Sequence, residues 1–260
     1  MTKLIENIQA QTFEDWELLM VDDDSLDEGG LLVTKAALQD SRIKALSSPK
    51  IRDDRSRIGP WFARNHGLKN AEADLVAFLD VDDLWHPQKL EFQVEVHENH
   101  EVGVTYTNFF AFDLETRKIN SHRMFPHQVT SKSFLSHNPI PISTSMISKS
   151  LVGHGFKPTY LEDYCFWLEV SKRVNGKGIR NLDKTLCYYG EHFKNRNRNK
   201  FSSLIHSHQA YLDAGFGFMQ SKLCCARWVL HHGLRVIKSR ISKSPQQFDT
   251  IDRHLSHIYD

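Results

Sequence analysis

The chain has 260 residues, 40% hydrophobic and 25% charged, with 33 lysines and arginines against 32 acids. That composition at that length supports a sizeable core and excludes a disordered or collagen-like chain. Cys165, Cys187 and the adjacent pair Cys224 and Cys225 follow neither a disulfide framework nor a C-x-x-C metal pattern, which points to a reducing compartment, the cytoplasm. No run approaches the roughly 18 apolar residues of a membrane span, and the first residues lack a signal-peptide layout.

In chain order, residues 17–21 (ELLMV) form an apolar run that stops at Asp22, Asp23 and Asp24, and residues 75–79 (LVAFL) stop as abruptly at Asp80. Both runs predict buried parallel strands. Between them residues 30–38 predict a helix, 43–46 a strand, and 59–71 a helix that turns Trp61, Phe62 and Leu68 inward, so the order is βαβαβ. A turn at 84–87 follows, then a helix at 88–99, strands at 102–107, 109–114 and 142–147, a helix at 162–174 and one or two strands at 179–189. From Lys200 the pattern is helical. No repeat, low-complexity segment or linker marks a clean domain boundary.

The near-zero net charge hides an asymmetry. Residues 191–243 hold ten lysines and arginines against two acids, whereas residues 1–190 hold 22 against 27. The basic stretch is interleaved with Phe216, Phe218, Trp228, Val229, Leu230, Leu234, Val236 and Ile237. It reads either as a helix lying on an anionic membrane or as the solvated face of helices packed on the main domain. No zinc-finger or RNA-binding signature points to nucleic acid.

In open α/β sheets ligands bind beyond the carboxyl ends of the strands, where Asp22, Asp23, Asp80, Asp82 and Asp83 all fall. Carboxylates converging there repel one another unless a cation lies between them. Hard oxygen ligands suit magnesium or manganese, which bridge protein carboxylates to phosphates. The competing reading is that the acids are turn residues ending their strands.

The segment V-D-D-D-S at residues 21–25, followed by Asp27, resembles the V-D-D-G-S-T-D element of family 2 glycosyltransferases, the inverting nucleotide-sugar enzymes of the GT-A fold. R-I-G-P-W-F-A-R-N-H-G at 57–67 resembles their N-x-G-x-x-x-A-R-N-x-G, and F-L-D-V-D-D-L-W-H-P-Q-K-L at 78–90 resembles F-L-D-A-D-D-x-W-x-P-x-K-L. L-E-D-Y-C-F-W-L at 161–168 resembles their E-D-x-x-F-W-L, and Y-G-E-H at 189–192 resembles Y-R-x-H with Gly190 in place of Arg.

The resemblance implies an α/β, Rossmann-related GT-A sheet, mostly parallel and flanked by helices, in a nucleotide- and acceptor-binding domain over 1–195. A basic helical region over 196–260 follows it. It further implies that Asp22, Asp23 and Arg64 contact the nucleotide, that Asp80 and Asp82 form the D-x-D element holding manganese or magnesium on the diphosphate, and that Asp83 supports them. Asp163 corresponds to the catalytic base and His192 to a further metal or diphosphate ligand, with Arg196, Arg198 and Lys200 closing over the phosphates. The implied partners are a nucleotide sugar, UDP-linked, and a bacterial polysaccharide or lipid-linked glycan acceptor; the charge of the basic tail adds the expectation of peripheral contact to the inner face of the membrane.

Three departures accompany the match. The family's first apolar strand, ending in Pro-x-Tyr-Asn, has no counterpart, because residues 4–12 correspond to the helix after it; Arg57 stands for Asn, and Asp24 for Gly. The missing strand predicts a poorly stable chain with weak base recognition. Two alternatives stay open: an inactive nucleotide-sugar-binding protein, and a haloacid dehalogenase-type phosphohydrolase with Asp80 as nucleophile.

Overall fold

The computed structural model describes residues 2–22, 29–47, 60–135, 137–159, 161–174, 178–191, 200–241 and 251, with the backbone alone at 200–206, 228 and 231–241. The opening βαβ unit forms as its pattern predicts. Strands β1 (Leu18–Asp22) and β2 (Ile43–Ser47) pair in parallel, Leu18 opposite Ile43 and Asp22 opposite Ser47, joined through helix α2 (Gly29–Gln39).

The third strand does not join them. β3 (Leu75–Ala77) belongs to a separate six-stranded sheet with β4 (Leu84–Trp85), β5 (Val102–Asp113), β6 (Ile119–Arg123), β7 (Met146–Ser148) and β8 (Gly178–Glu191). Its order is β3, β7, β5, β8, β4, with β6 also on β5. Long β5 and β8 run parallel, while β3–β7, β5–β7, β5–β6 and β4–β8 are antiparallel. The α/β architecture stands, but the sheets are mixed where a mostly parallel one was expected. A parallel neighbour needs a long, usually helical crossover. The chain supplies one between β5 and β8, whereas β6 follows β5 through a short turn and two-residue β4 was read as part of a turn.

The expected strands at 102–107 and 109–114 are one. Asn108, which interrupts the apolar pattern, is buried, and its Oδ1 accepts from the Phe125 N–H at 3.0 Å and from Asn181 Nδ2 at 2.9 Å, so the strand bulges there and continues.

Helices α3 (Trp61–Asn70), α4 (Lys89–Asn99) and α5 (Glu162–Arg173) match the predicted spans to within two residues. The main core joins Val104 and Tyr106 of β5 to Phe166, Trp167, Leu168 and Val170 of α5. Ala210 and Tyr211 of α6 (Lys200–Asp213), and Cys224 and Cys225 of α7 (Phe218–Ile241), enter the same cluster. Described residues of the basic region, from Ala210 to Cys225, thus pack into the body. Ile251 is fully buried against Leu84, Phe112, Ile119 and Tyr188, and its N–H reaches the Arg117 carbonyl at 2.8 Å.

Helix α1 (Thr2–Gln9) clamps the segment that follows the second acidic cluster. Asn7 exchanges two hydrogen bonds with the Trp85 backbone, both 2.8 Å, and Gln11, just beyond the helix, binds the His86 carbonyl and the Leu90 N–H. Among the described residues no helix is long and apolar enough to cross a membrane. All four cysteines are free and buried.

Candidate active site

Asp22 is the last residue of β1, and α2 begins close against it: a Cβ on Gly30 would lie 2.6 Å from Asp22 Oδ2. A larger residue there would require the carboxylate to swing aside. Asp23, His192, Arg196 and Arg198 lie outside the described residues, and at Lys200 the backbone alone is described.

The A-R-N-H-G segment of α3 resolves into separate tasks. Asn65 Nδ2 donates to the Phe156 carbonyl and Asn65 Oδ1 accepts from the Phe156 N–H, both at 2.8 Å, which pins α3 to the loop before α5. That loop passes Asn65 at Gly155, whose φ of +75° suits glycine. A Cβ on Gly67 would touch Val21 of β1 at 3.7 Å, so α3 also lies over the first sheet.

Arg64, held between these contacts, donates to Asp80 Oδ1 at 2.7 Å and to Glu162 Oε1 at 2.8 Å. Its side chain is 11% exposed and that of Glu162 10%. Burial disfavours the guanidinium's charge, but the carboxylates of Asp80, Glu162 and Asp163 more than offset this and hold its pKa above the ordinary arginine value. One arginine thus joins the D-x-D element to the E-D pair, 98 residues away in sequence from Glu162.

Behind Asp80 the chain leaves the sheet early. β3 ends at Ala77, Phe78 turns into the core against Phe156, Phe166 and Trp167, and the Asp80 N–H donates to Ser143 Oγ at 3.1 Å. Asp82 is exposed. Asp83 is buried and accepts the Gly190 N–H on Oδ1 at 2.8 Å. Burial pushes its pKa well above the ordinary carboxylate value. A Cβ on Gly190 would collide with the Asp82 carbonyl oxygen, which gives a physical reason for glycine there.

Asp163, in the first turn of α5, accepts from the Tyr164 N–H at 2.7 Å and from Asn138 Nδ2 at 2.8 Å. Burial raises its pKa while Arg64, Tyr164 and Asn138 pull it down. Burial, reinforced by Asp163, pushes Glu162 up to about 7 against the opposing pull of Arg64. Both carboxylates are thus held above their ordinary values beside a fixed cation, the environment in which a general base operates. Glu162, Asn138 and Ser143 were not singled out by sequence; Glu162 stood in the E-D motif, while the other two carried no signal.

Among the described residues no three side chains form a metal-ligand cluster. The D-x-D aspartates nonetheless fit a divalent cation of the magnesium class, which takes one or two carboxylates and completes its shell with water and substrate phosphates.

A model of the family described as "Glycosyl transferase family 2" matches residues 1–156. The chain is 31% identical over 176 residues to "UDP-Glc:alpha-D-GlcNAc-diphosphoundecaprenol beta-1,3-glucosyltransferase WfgD" of Escherichia coli, covering 67% of this chain and 66% of that protein. It is 26% identical over 171 residues to "Putative teichuronic acid biosynthesis glycosyltransferase TuaG" of Bacillus subtilis, covering 65% and 66%. The chain thus spans just under two thirds of these relatives' length. Among solved structures, S. aureus TarS 1-349 in complex with UDP-GlcNAc aligns with a TM-score of 0.60 at 20% identity, over 88% of this chain and 67% of that one. The mannosyltransferase PcManGT of Pyrobaculum calidifontis, in complex with GDP-Man and Mn2+, aligns with a TM-score of 0.57 at 14% identity, over 94% and 72%. The chain therefore belongs to glycosyl transferase family 2 and adopts the GT-A fold.

Proposed function

We propose that this chain transfers a sugar from a UDP-linked donor to a lipid-linked oligosaccharide or surface polysaccharide, with inversion at the anomeric carbon, at the cytoplasmic face of a bacterial membrane. The observation that carries this is the Arg64 bridge. It sets Asp80, a diphosphate-side acid, beside the E-D pair at the start of α5, so that donor and base are served by one connected site. The glucosyltransferase WfgD, named for a UDP-glucose donor and a diphosphoundecaprenol-linked acceptor, supports the substrate classes. The phosphohydrolase alternative falls with the family assignment.

In this reading Asp22 and Asp23 contact the nucleoside, and Asp80 and Asp82, with His192, hold manganese or magnesium. When bound, the cation neutralises charge gathering on the departing diphosphate. Asp163 accepts the proton of the acceptor hydroxyl as its oxygen bonds to the anomeric carbon. The bond from that carbon to the diphosphate oxygen breaks on the opposite face, and UDP leaves with the electron pair. Asn138 holds Asp163 through Oδ2 and Tyr164 through Oδ1, so the carboxylate is oriented before the acceptor arrives. Asp83 supports the loop by accepting the Gly190 N–H.

Incubating the protein with manganese, a panel of nucleotide sugars and a lipid diphosphate acceptor tests the reading. UDP release that needs both acceptor and metal is expected. Donor binding without release would leave a nucleotide-sugar-binding protein.

A further inference from the structure

Helix α7 presents an apolar stripe to solvent. Ser221, Cys224 and Cys225 are buried against the body, and this fixes which way the helix faces. On the opposite side Met219 is 75% exposed, Leu223 55% and Leu230 66%, and Ala226 between them is also exposed. Their spacing of four, three and four residues is that of one face of an α-helix. The sequence continues the same spacing with Leu234, Ile237 and Ile241.

The charges on this helix are of one sign. Phe218–Ile241 contains five lysines and arginines and no acid. Exposed Lys222 and Arg227 follow Met219 by three and by eight residues, so they border the stripe on opposite sides. Lys222 lies over the Phe218 ring at 4.2 Å, its stem along the apolar surface and its ammonium at the margin.

We infer that α7 is an interfacial helix that docks the protein on an anionic lipid bilayer, with Met219, Leu223 and Leu230 inserted among the acyl chains and the flanking lysines and arginines against the headgroups. An apolar stripe edged on both sides by cations is the pattern of a helix lying in a membrane surface. A second copy of the chain fits less well. Pairing two such stripes would bring five positive charges of each helix together with no carboxylate on either to neutralise them. The inference deepens the proposed function, resting on its placement of the acceptor at a membrane and supplying the surface that holds the enzyme there.

The test is co-sedimentation of the full chain with phosphatidylglycerol vesicles and with phosphatidylcholine vesicles, beside the double variant Leu223→Glu/Leu230→Glu and the double variant Lys222→Ala/Arg227→Ala. Both pairs are exposed, so melting temperature and UDP titration without vesicles should match the parent, which separates loss of docking from loss of the donor site. The expected result is binding to phosphatidylglycerol that weakens with salt, falls at least tenfold in the glutamate variant, and falls about fivefold for each cation removed. Equal binding by the parent and both variants, or no preference for anionic lipid, would overturn the inference. So would a parent dimer in solution that the glutamate variant splits into monomers, because the stripe would then belong to a second copy.

Discussion

Arg64 and Asp80 meet at 2.7 Å, and the same guanidinium reaches Glu162, so the acid that ends the β3 segment and the acid that opens α5 share one cation. Removing it leaves two carboxylates, one of them deeply buried, without their counter-charge. Breaking such a buried pair costs about 3 kcal/mol or more. Arg64→Ala should therefore lower the melting temperature and abolish transfer. Arg64→Lys keeps the charge but not the fork that spans both acids, and should retain stability better than activity. Thermal unfolding alongside initial rates checks both; a fully active Arg64→Lys protein would count against the bridge as the link between the two motifs.

Asp82 is exposed and Asp80 is half-buried beneath Arg64, so their variants should differ. Asp82→Asn should lose metal-dependent UDP affinity with little change in melting temperature, while Asp80→Asn should lose affinity and stability together. Calorimetry with and without manganese reads the first effect, and unchanged UDP affinity in both variants would remove the metal assignment.

Asp163→Asn should bind donor as the parent does and lose transfer by about 100-fold or more, the range of a general base. The base must be ionised to act, and burial raises its pKa, so the acid limb of kcat/KM should lie above the ordinary carboxylate range. The Asn138 amide stabilises the ionised form and pulls that pKa down. Asn138→Ala should therefore shift the limb to higher pH. A shift to lower pH would show that the titrating group is not Asp163.

Lys89 is fully buried, donates to Gln93 at 2.6 Å and lies 3.9 Å over the Trp85 ring. Burial lowers its pKa from 10.5 to about 7. Between those two values the unfolded chain carries the proton and the folded one does not, so stability should rise with pH across that window, at about 1.4 kcal/mol per pH unit from this group. Lys89→Met should lack this contribution. Urea titrations of both proteins from pH 6 to 10 measure the difference, and parallel curves would contradict the neutral buried amine.

The strand-terminal acids, the α3 motif and the E-D helix start are legible because each is a short run that can be read without knowing what the fold brings beside it. The Lys89 motif position was legible as a motif but not as a buried one: Trp85 and Gln93 lie four residues away on either side, while the burial of the amine comes from the rest of the fold. The Arg64–Glu162 and Asn138–Asp163 contacts join residues 98 and 25 apart, and no local spacing encodes them. Antiparallel β4 escaped because two residues carry no period, and β5 was split because Asn108 is a polar residue satisfied inside the core.

The most direct test of the connected site is UDP release measured with manganese, a UDP-sugar and a lipid diphosphate acceptor, comparing the parent with Asp82→Asn and Asp163→Asn in one assay. Release by the parent, loss of donor binding in Asp82→Asn, and retained donor binding without transfer in Asp163→Asn are what the account predicts; release at the parent rate by Asp163→Asn, or by Asp82→Asn with metal still required, would contradict it.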